Sequence, residues 1–265
     1  MPQSLKPKIV FIGAGNLATN LAMALFNGGY QIIQVYSRSQ VSAGNLSSKV
    51  NSPFTTSLKG IIQNADLYII SVPDKAVREV VEQMPLNKGL VVHTSGSTDI
   101  SVLSKFGVNG YGVFYPFQTF SKNRIISFEN IPICIEASND DSYNKLYLIA
   151  SSISNSIIKM DSSTRSWLHL TGVFTNNFTN HLLALSQQIS KGKGFDFNLL
   201  KPLAIETIQK AFDISPANAQ TGPAIRFDID TIKLHVEKLK EYSPELADIY
   251  KALTLSIQSS IHKED

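Results

Sequence analysis

The sequence predicts an α/β fold: a doubly wound, mostly parallel sheet over residues 1–160, followed by an all-α domain over residues 161–265. Short apolar runs without polar alternation recur in the first part, as is typical of strands buried on both faces, and helical patterns separate them. Beyond Met160 only helical patterns remain. A chain of 265 residues, 43% hydrophobic, is long enough for two domains.

The elements of the first part follow from where apolar runs stop at turn residues. Predicted strands cover residues 9–12, 32–36, 67–70, 90–92, 108–115 and 131–135, with short ones near 54 and at 157–158. The helices between them include 17–25, which stops at Gly28 and Gly29, then 39–49 and 142–153. Together these elements predict βαβ units, because parallel strands need crossover helices.

In the second part, apolar residues at helical spacing predict helices at 162–190, 196–212, 228–240 and 244–262, with a loop over 215–226. Residues 166–190 contain no charged side chain. At helical spacing Trp167 and Phe174 gather on one face, and His169 and Asn176 on the opposite one, with Asn177 at its edge. We expect this helix to be covered on both sides, by core or a partner subunit and by a cleft. Alternatively, it is a buried structural helix whose amides bond its neighbours.

Charge and cysteine content exclude several functions. The net charge of +3 is too small to indicate a nucleic-acid partner. The single cysteine, Cys134, excludes an internal disulfide and a cysteine-based metal cluster. No uncharged apolar stretch approaches the ~18–20 residues of a membrane span. We therefore expect a cytoplasmic protein that binds neither nucleic acid nor a membrane.

A glycine-rich turn follows the first predicted strand. Gly13 permits a tight turn, Gly15 lets the backbone approach a pyrophosphate, and Ala18 allows close helix packing. Asn16 and Leu17 open the next helix, whose amino terminus favours an anion. Because the motif lies between a strand and a helix, it predicts a dinucleotide site in a Rossmann domain. The alternative is a glycine-rich turn without a ligand.

The charge map predicts NADP as the dinucleotide. An NAD site needs an acid at the end of the second strand, and the first acid in the chain is Asp66. That strand instead runs into Ser37, Arg38 and Ser39, which can bind a 2′-phosphate through charge-assisted hydrogen bonds. Alternatively, Arg38 is a solvated surface charge.

Two further turns are expected at the carboxyl ends of strands, where α/β sheets bind ligands. Val72 and Pro73 follow the fourth strand beside the cofactor, and Asp74 is placed to cap the next helix.

Residues 93–97 follow the fifth strand. His93 and Ser95 are candidate catalytic groups there, and Gly96 a candidate substrate contact. The alternative for His93 is a structural histidine bonded to backbone, in an ordinary turn.

Other candidates lie farther along the chain. Gln118 is a candidate substrate contact in an aromatic segment that forms either a pocket wall or part of the core or of an interface. His169 and Asn177 are candidate catalytic residues on the long helix. Arg226 either binds a substrate anion or pairs with Asp228.

These motifs together resemble a family. The glycine fingerprint, the segments at 37–39, 72–74, 93–96 and 115–120, the helix from His169 to Asn177, and Thr221-Gly222-Pro223-x-x-Arg226 resemble the bacterial putative NADP oxidoreductases. The resemblance implies a Rossmann-like domain and a C-terminal helical domain of unknown function. More distantly the chain is similar to pyrroline-5-carboxylate reductases and deazaflavin-dependent NADP oxidoreductases. Its helical half resembles that of 6-phosphogluconate dehydrogenases, which implies a homodimer.

One departure concerns the proton donor. Related β-hydroxyacid dehydrogenases place a catalytic lysine four residues before an asparagine, where this chain has Val173 before Asn177. His169 or His93 is therefore the expected donor. The sequence predicts an NADP(H)-dependent oxidoreductase that acts on a small metabolite in a cleft between the domains. The alternative is a non-catalytic NADP-binding regulatory or interaction protein.

Overall fold

The structure is a computed structural model that describes residues 6–85, 88–105 and 110–261. It contains two compact units, Met1–Asn176 and Asn177–Asp265. The boundary predicted near Asp161 lies where strands give way to helices, and as a domain limit it stays a prediction. Two ends of predicted elements, residues 108–109 and His262, lie outside the described residues.

One sheet of eight strands forms the centre of the first unit. In chain order the strands are β1 (Lys8–Ile12), β2 (Gln31–Tyr36), β3 (Phe54–Thr55), β4 (Leu67–Ile70), β5 (Leu90–His93), β6 (Tyr111–Pro116), β7 (Ile133–Ala137) and β8 (Ile157–Lys159). Their order across the sheet is β3-β2-β1-β4-β5-β6-β7-β8, and among the described residues every pairing but that of β6 with β7 is parallel. The predicted doubly wound, mostly parallel sheet is confirmed.

Ten α-helices are present among the described residues. The first unit contains α1 (Asn16–Asn27), α2 (Gln40–Lys49), α3 (Asp74–Gln83), α4 (Asp140–Ser151) and α5 (Ser162–Gly172). The second contains α6 (Thr179–Lys193), α7 (Lys201–Ile214), α8 (Pro216–Ala219), α9 (Ile229–Tyr242) and α10 (Pro244–Ile261). The second part is helical as predicted, although α8 lies where the sequence predicted only a loop.

Burial on both faces explains the continuous apolar strands. In β1, Ile9 and Phe11 belong to one buried cluster, and Val10 and Ile12 belong to another on the opposite face. Alternate side chains of a strand point to opposite faces, so both faces of this sheet are packed. A strand in that position has no polar face, which is the pattern the sequence shows.

The long helix predicted over 162–190 is interrupted. Residues Val173–Phe178 form a π-helix between α5 and α6. Its wider turns shift the angular register, so the faces predicted at 100° per residue do not continue through it. Trp167 is 68% exposed and Phe174 is 62% exposed, so the described residues of this chain do not cover that face, and its cover by a partner subunit stays a prediction.

A buried ion pair holds α5 against the sheet. The Arg165 side chain is almost fully buried and pairs through Nη1 with Glu136 of β7. Its Nη2 donates to the carbonyl of Thr98 at 2.6 Å and to Ser162 Oγ at 3.0 Å. Ser162 Oγ donates in turn to the same carboxylate, at 2.7 Å. Arg165 thus joins a strand, the turn after β5 and the helix itself.

Replacing Arg165 with methionine tests how much these contacts stabilise the protein. Loss of one partner leaves the Glu136 carboxylate without its counterion, so we expect Arg165→Met to lower the free energy of unfolding by about 3–5 kcal/mol in urea denaturation. The control is Lys145→Met, which removes an exposed pair with Asp141 and is expected to cost less than about 1 kcal/mol. Equal stability of the two variants would contradict the role given to Arg165.

Candidate active site

The turn after β1 is built around glycine. Gly13 has a φ of +118°, and a Cβ there would lie 2.0 Å from the carbonyl oxygen of Ser71. A side chain at this position is therefore excluded by both backbone conformation and contact. At Gly15 an added Cβ would meet no atom within 4 Å, so the turn is open on the side that a ligand would approach.

A cavity of about 400 Å³ opens on this turn. It extends from the glycines to the carboxyl ends of β2 and β4, and is lined by Gly13, Ala14, Gly15, Tyr36, Ser37, Arg38, Ser39, Ser42, Leu58, Ser71, Val72, Pro73, Ala76, Glu79, Val80, Gln83 and Lys122. The lining includes all the predicted cofactor contacts except Asn16 and Leu17. Leu17 packs partly against the core, whereas Asn16 is exposed.

The chemistry of this lining fits a dinucleotide. The first turn of α1 carries no acid, and its N-cap, Gly15, has no side chain to satisfy the free amides. The free amides at the amino terminus of α1 can therefore stabilise a pyrophosphate. Burial raises the pKa of Tyr36 at the end of β2; the charge of Arg38 acts against this rise, and the charge of Glu79, the acid in the lining, adds to it.

The end of β2 presents hydroxyls and one guanidinium. Ser39 is the N-cap of α2, where its Oγ accepts from the backbone N–H of Ser42 at 3.2 Å. Ser37 Oγ accepts from the N–H of Ser39 at 3.3 Å. Neither hydroxyl donates a hydrogen bond to another described residue, and with Arg38 the two form a set of donors suited to a phosphate.

Some lining residues were missed in the sequence. Ala76, Glu79, Val80 and Gln83 share one face of α3, and their helical spacing was the available signal. Lys122 had no such signal, since it is more than 100 residues from the glycine turn.

The helix cap predicted at Asp74 is wrong. Asp74 is the first residue of α3, and the N-cap is Pro73, whose side chain makes no capping bond. Asp74 Oδ2 instead accepts from Ser97 Oγ at 2.5 Å, which connects the turn after β4 to the turn after β5.

The turn after β5 uses its hydroxyls internally. Ser95 Oγ accepts from the N–H groups of Ser97 and Thr98, at 3.2 and 2.9 Å, and donates to Thr98 Oγ1 at 2.8 Å. Thr94 Oγ1 donates to Ser71 Oγ at 3.1 Å. This arrangement is the ordinary turn that the sequence left open as an alternative, and Ser95 as a catalytic group stays a prediction.

His93 is fully buried at the end of β5. Its Nδ1 accepts from the N–H of Ser95 at 3.2 Å, so the hydrogen of the neutral ring lies on Nε2, which has no partner among the described residues. Burial, and then the charge of Arg165, lower the pKa of His93 to about 4. The imidazole is thus uncharged at neutral pH and fits the structural alternative; its catalytic role stays a prediction.

His169 has a different environment. It lies partly exposed on α5, with Nδ1 3.0 Å from the hydroxyl of Tyr115. Burial raises the pKa of Tyr115 to about 12, so the phenol remains protonated. A Cβ on Gly96 would lie 2.6 Å from His169 Nδ1 and 2.8 Å from Tyr115 Cζ. Gly96 is therefore needed for this close packing, and its role as a substrate contact stays a prediction.

The remaining candidates have the following environments. Gln118 is exposed, and its Oε1 accepts from the N–H of Thr119 at 2.8 Å. Asn177 lies in the π-helix and belongs to the second unit. Arg226, also in the second unit, is exposed and forms no ion pair with Asp228 among the described residues.

Comparisons with known proteins agree with this geometry. Residues 8–95 match the family described as NADP oxidoreductase, coenzyme F420-dependent, and residues 131–257 match a domain of unknown function (DUF2520). A putative NADP oxidoreductase from Bacteroides fragilis is 43% identical with a TM-score of 0.90, over 96% of this chain and 98% of its own. The chain belongs to the family of this putative NADP oxidoreductase. The resemblance to that family predicted from the sequence motifs is thereby confirmed.

More distant structures share the fold. An imine reductase from Myxococcus stipitatus, in complex with NADP+, is 16% identical with a TM-score of 0.66, over 97% of this chain and 94% of its own. A pyrroline-5-carboxylate reductase from Coxiella burnetii is 18% identical with a TM-score of 0.56, over 96% and 97%. No curated protein matches the chain significantly. Among the described residues, no helix is both long and apolar enough to span a bilayer.

The pKa of His93 predicts a pH-dependent stability. Between its ordinary pKa of 6.5 and its folded pKa of about 4, the unfolded chain binds a proton that the folded chain does not. Stability contributed by neutral His93 is therefore complete above pH 6.5 and falls as the pH drops to 4, by about 3 kcal/mol in all. Urea denaturation across this range measures it.

The control is His93→Asn, which keeps an acceptor near the Ser95 N–H and does not titrate. Its loss of stability between pH 6.5 and 4 is expected to be smaller than that of the wild type by this amount. Parallel pH profiles for the two proteins would show that His93 is not the source.

Proposed function

We propose that the protein is an NADP(H)-dependent oxidoreductase that transfers a hydride between the cofactor and a small metabolite. The observation that carries the proposal is one cavity that joins the open glycine turn to the Ser37–Arg38–Ser39 segment. When bound, the nicotinamide supplies the hydride chemistry. The protein contributes binding, orientation and a proton.

The preference for NADP rests on the end of β2. The last residues of that strand lead into two serines and an arginine, and the chain has no acid before Asp66. A ribose with a free 2′-hydroxyl would find no carboxylate at the end of β2 itself, where NAD sites supply one, because the acid that lines the cavity, Glu79, belongs to α3. A 2′-phosphate would find the guanidinium of Arg38 and the hydroxyls of Ser37 and Ser39.

The order of strands indicates where the reaction would occur. Along the carboxyl edge β2, β1, β4, β5 and β6 follow one another. With the adenosine end at β2 and the pyrophosphate at β1, the nicotinamide is expected beyond β4, near the turn after β5. Tyr115 ends β6 beside that turn and hydrogen-bonds His169.

His169 is our candidate for the proton donor. The lysine of the hydroxyacid dehydrogenases is absent from this stretch of sequence, and His93 is buried and uncharged. His169 is partly exposed, and Tyr115 fixes one of its ring nitrogens. The other nitrogen, Nε2, is the atom that would exchange a proton with the metabolite. Asn177 stays a predicted catalytic residue, and Gln118 and Arg226 stay predicted substrate contacts.

We also propose that the protein is a homodimer formed through its helical part. On α7, Ile205, Ile208 and Phe212 share one face, and they are 58%, 50% and 80% exposed. Trp167 and Phe174 are exposed as well. Apolar faces of this kind are typical of permanent interfaces between like subunits.

Cofactor choice is tested by titrating NADPH and NADH against the wild type and Arg38→Ala. Loss of a charge-assisted hydrogen bond to the 2′-phosphate is expected to weaken NADPH binding about 10- to 100-fold and to leave NADH binding unchanged. Arg38→Lys should restore only part of the loss, because an ammonium lacks the bidentate geometry. Equal affinities of the wild type for both dinucleotides would refute the NADP preference.

Hydride transfer is tested by a screen of imines, ketones and flavin-like acceptors, followed through the absorbance of NADPH. Turnover is expected in the wild type, with a fall of about 10²–10⁴-fold in kcat for His169→Ala. His93→Asn separates the two histidines: a fall in its kcat as large as that of His169→Ala would contradict the assignment of the donor to His169. Tight NADPH binding without turnover of any acceptor would favour the alternative, a non-catalytic NADP-binding regulator.

Self-association is tested by light scattering after size exclusion. The wild type is expected to have twice the mass of the chain, and Phe212→Glu to shift it towards the monomer. Leu148→Glu is the matched control, since Leu148 is 69% exposed on α4 and lies outside the proposed face. A monomeric wild type would refute the proposal.

A further inference from the structure

The segment between β6 and β7 returns to the glycine turn. Because β7 is antiparallel to β6, this segment starts and ends at the carboxyl edge of the sheet, where α1 also begins. Residues 121–126 of this segment contact α1. They form the loop on which this inference depends.

Two asparagines of α1 hold that loop. Asn20 is fully buried, and its Nδ2 donates to the carbonyl of Ser121 at 3.0 Å while its Oδ1 accepts from the N–H of Ile126 at 3.3 Å. Asn16 Oδ1 accepts from the N–H of Lys122, also at 3.3 Å. Both ends of the loop are therefore fixed to the helix that follows the fingerprint.

Lys122 lies at the tip of this loop. Ser121 and Arg124 pair through their backbones around it, with the N–H of Arg124 3.3 Å from the carbonyl oxygen of Ser121. Lys122 lines the cavity together with Gly13 and Gly15. It is partly buried, and no carboxylate among the described residues forms an ion pair with it.

We propose that Lys122 binds the pyrophosphate of the dinucleotide through its Nζ, so that the loop of residues 121–126 is part of the cofactor site. This inference rests on the proposed function. The amides at the start of α1 supply only partial positive charge, and a pyrophosphate carries two negative charges. A lysine whose backbone is fixed beside Asn16 supplies a full positive charge at the amino terminus of α1.

Its position assigns Lys122 to the pyrophosphate and not to the 2′-phosphate. The backbone N–H of Lys122 donates a hydrogen bond to Asn16, the first residue of α1, and α1 follows β1. Arg38 instead follows β2, the next strand across the sheet. The two cations therefore serve different phosphates. Pyrophosphate is common to NADH and NADPH, and the 2′-phosphate is present only in NADPH.

The experiment measures dissociation constants of NADPH, NADH and adenosine 2′-monophosphate, by calorimetry, for the wild type, Lys122→Met and Arg38→Ala. Lys122→Met is expected to weaken both dinucleotides about tenfold and to leave the monophosphate, which has no pyrophosphate, unchanged. Arg38→Ala is expected to weaken NADPH and the monophosphate only. Lys122→Arg, which keeps the charge, should bind both dinucleotides within about threefold of the wild type.

Arg124→Met is the matched control, because Arg124 is an exposed cation of the same loop and does not line the cavity. Unchanged dinucleotide binding by Lys122→Met, or a loss restricted to NADPH and the monophosphate, would overturn the inference. A loss of equal size in Arg124→Met would overturn it too, since the effect would then be the general charge of the loop. A wild type that binds neither dinucleotide would instead overturn the proposed function.

Discussion

The contact between Gly13 and the main chain of Ser71 constrains the whole carboxyl edge of the sheet. A single methyl group at Gly13 would lie 2.0 Å from the Ser71 carbonyl oxygen, so the turn after β1 packs directly on the end of β4. Between these two strands the order of the sheet reverses, which is where open α/β sheets bind ligands. The cavity, the open side of Gly15 and the position of α1 all depend on this packing.

A second constraint acts along α5. One face of α5 carries Arg165, His169 and Gly172, which are spaced by four and three residues. This face packs against the sheet and the segments that follow its strands. Arg165 is held by Glu136, His169 contacts Tyr115 and Gly96, and an added Cβ on Gly172 would meet the ring of Phe117 at 2.8 Å. A buried ion pair thus determines where a histidine reaches the edge of the sheet.

His93 and His169 differ in burial, and this difference gives the two imidazoles different chemical properties. His93 is surrounded by protein close to the cation of Arg165, and a second positive charge there is unfavourable. His169 keeps contact with solvent and shares a hydrogen bond with a phenol that stays protonated. The sequence offered both as proton donors, because their immediate neighbours in the chain do not reveal their burial.

The sequence by itself determined the sheet, the glycine turn and the candidate cofactor residues at the ends of β2 and β4 that line the cavity, because each depends on residues adjacent in the chain. Apolar runs and glycine spacing are local signals, and so is the absence of an acid before Asp66. Only the tertiary structure decided the antiparallel course of β7, the burial of His93 and the return of Lys122 to the glycine turn. These features depend on contacts between residues far apart in sequence, such as that of Asn16 with Lys122, and no local pattern of side chains specifies such contacts.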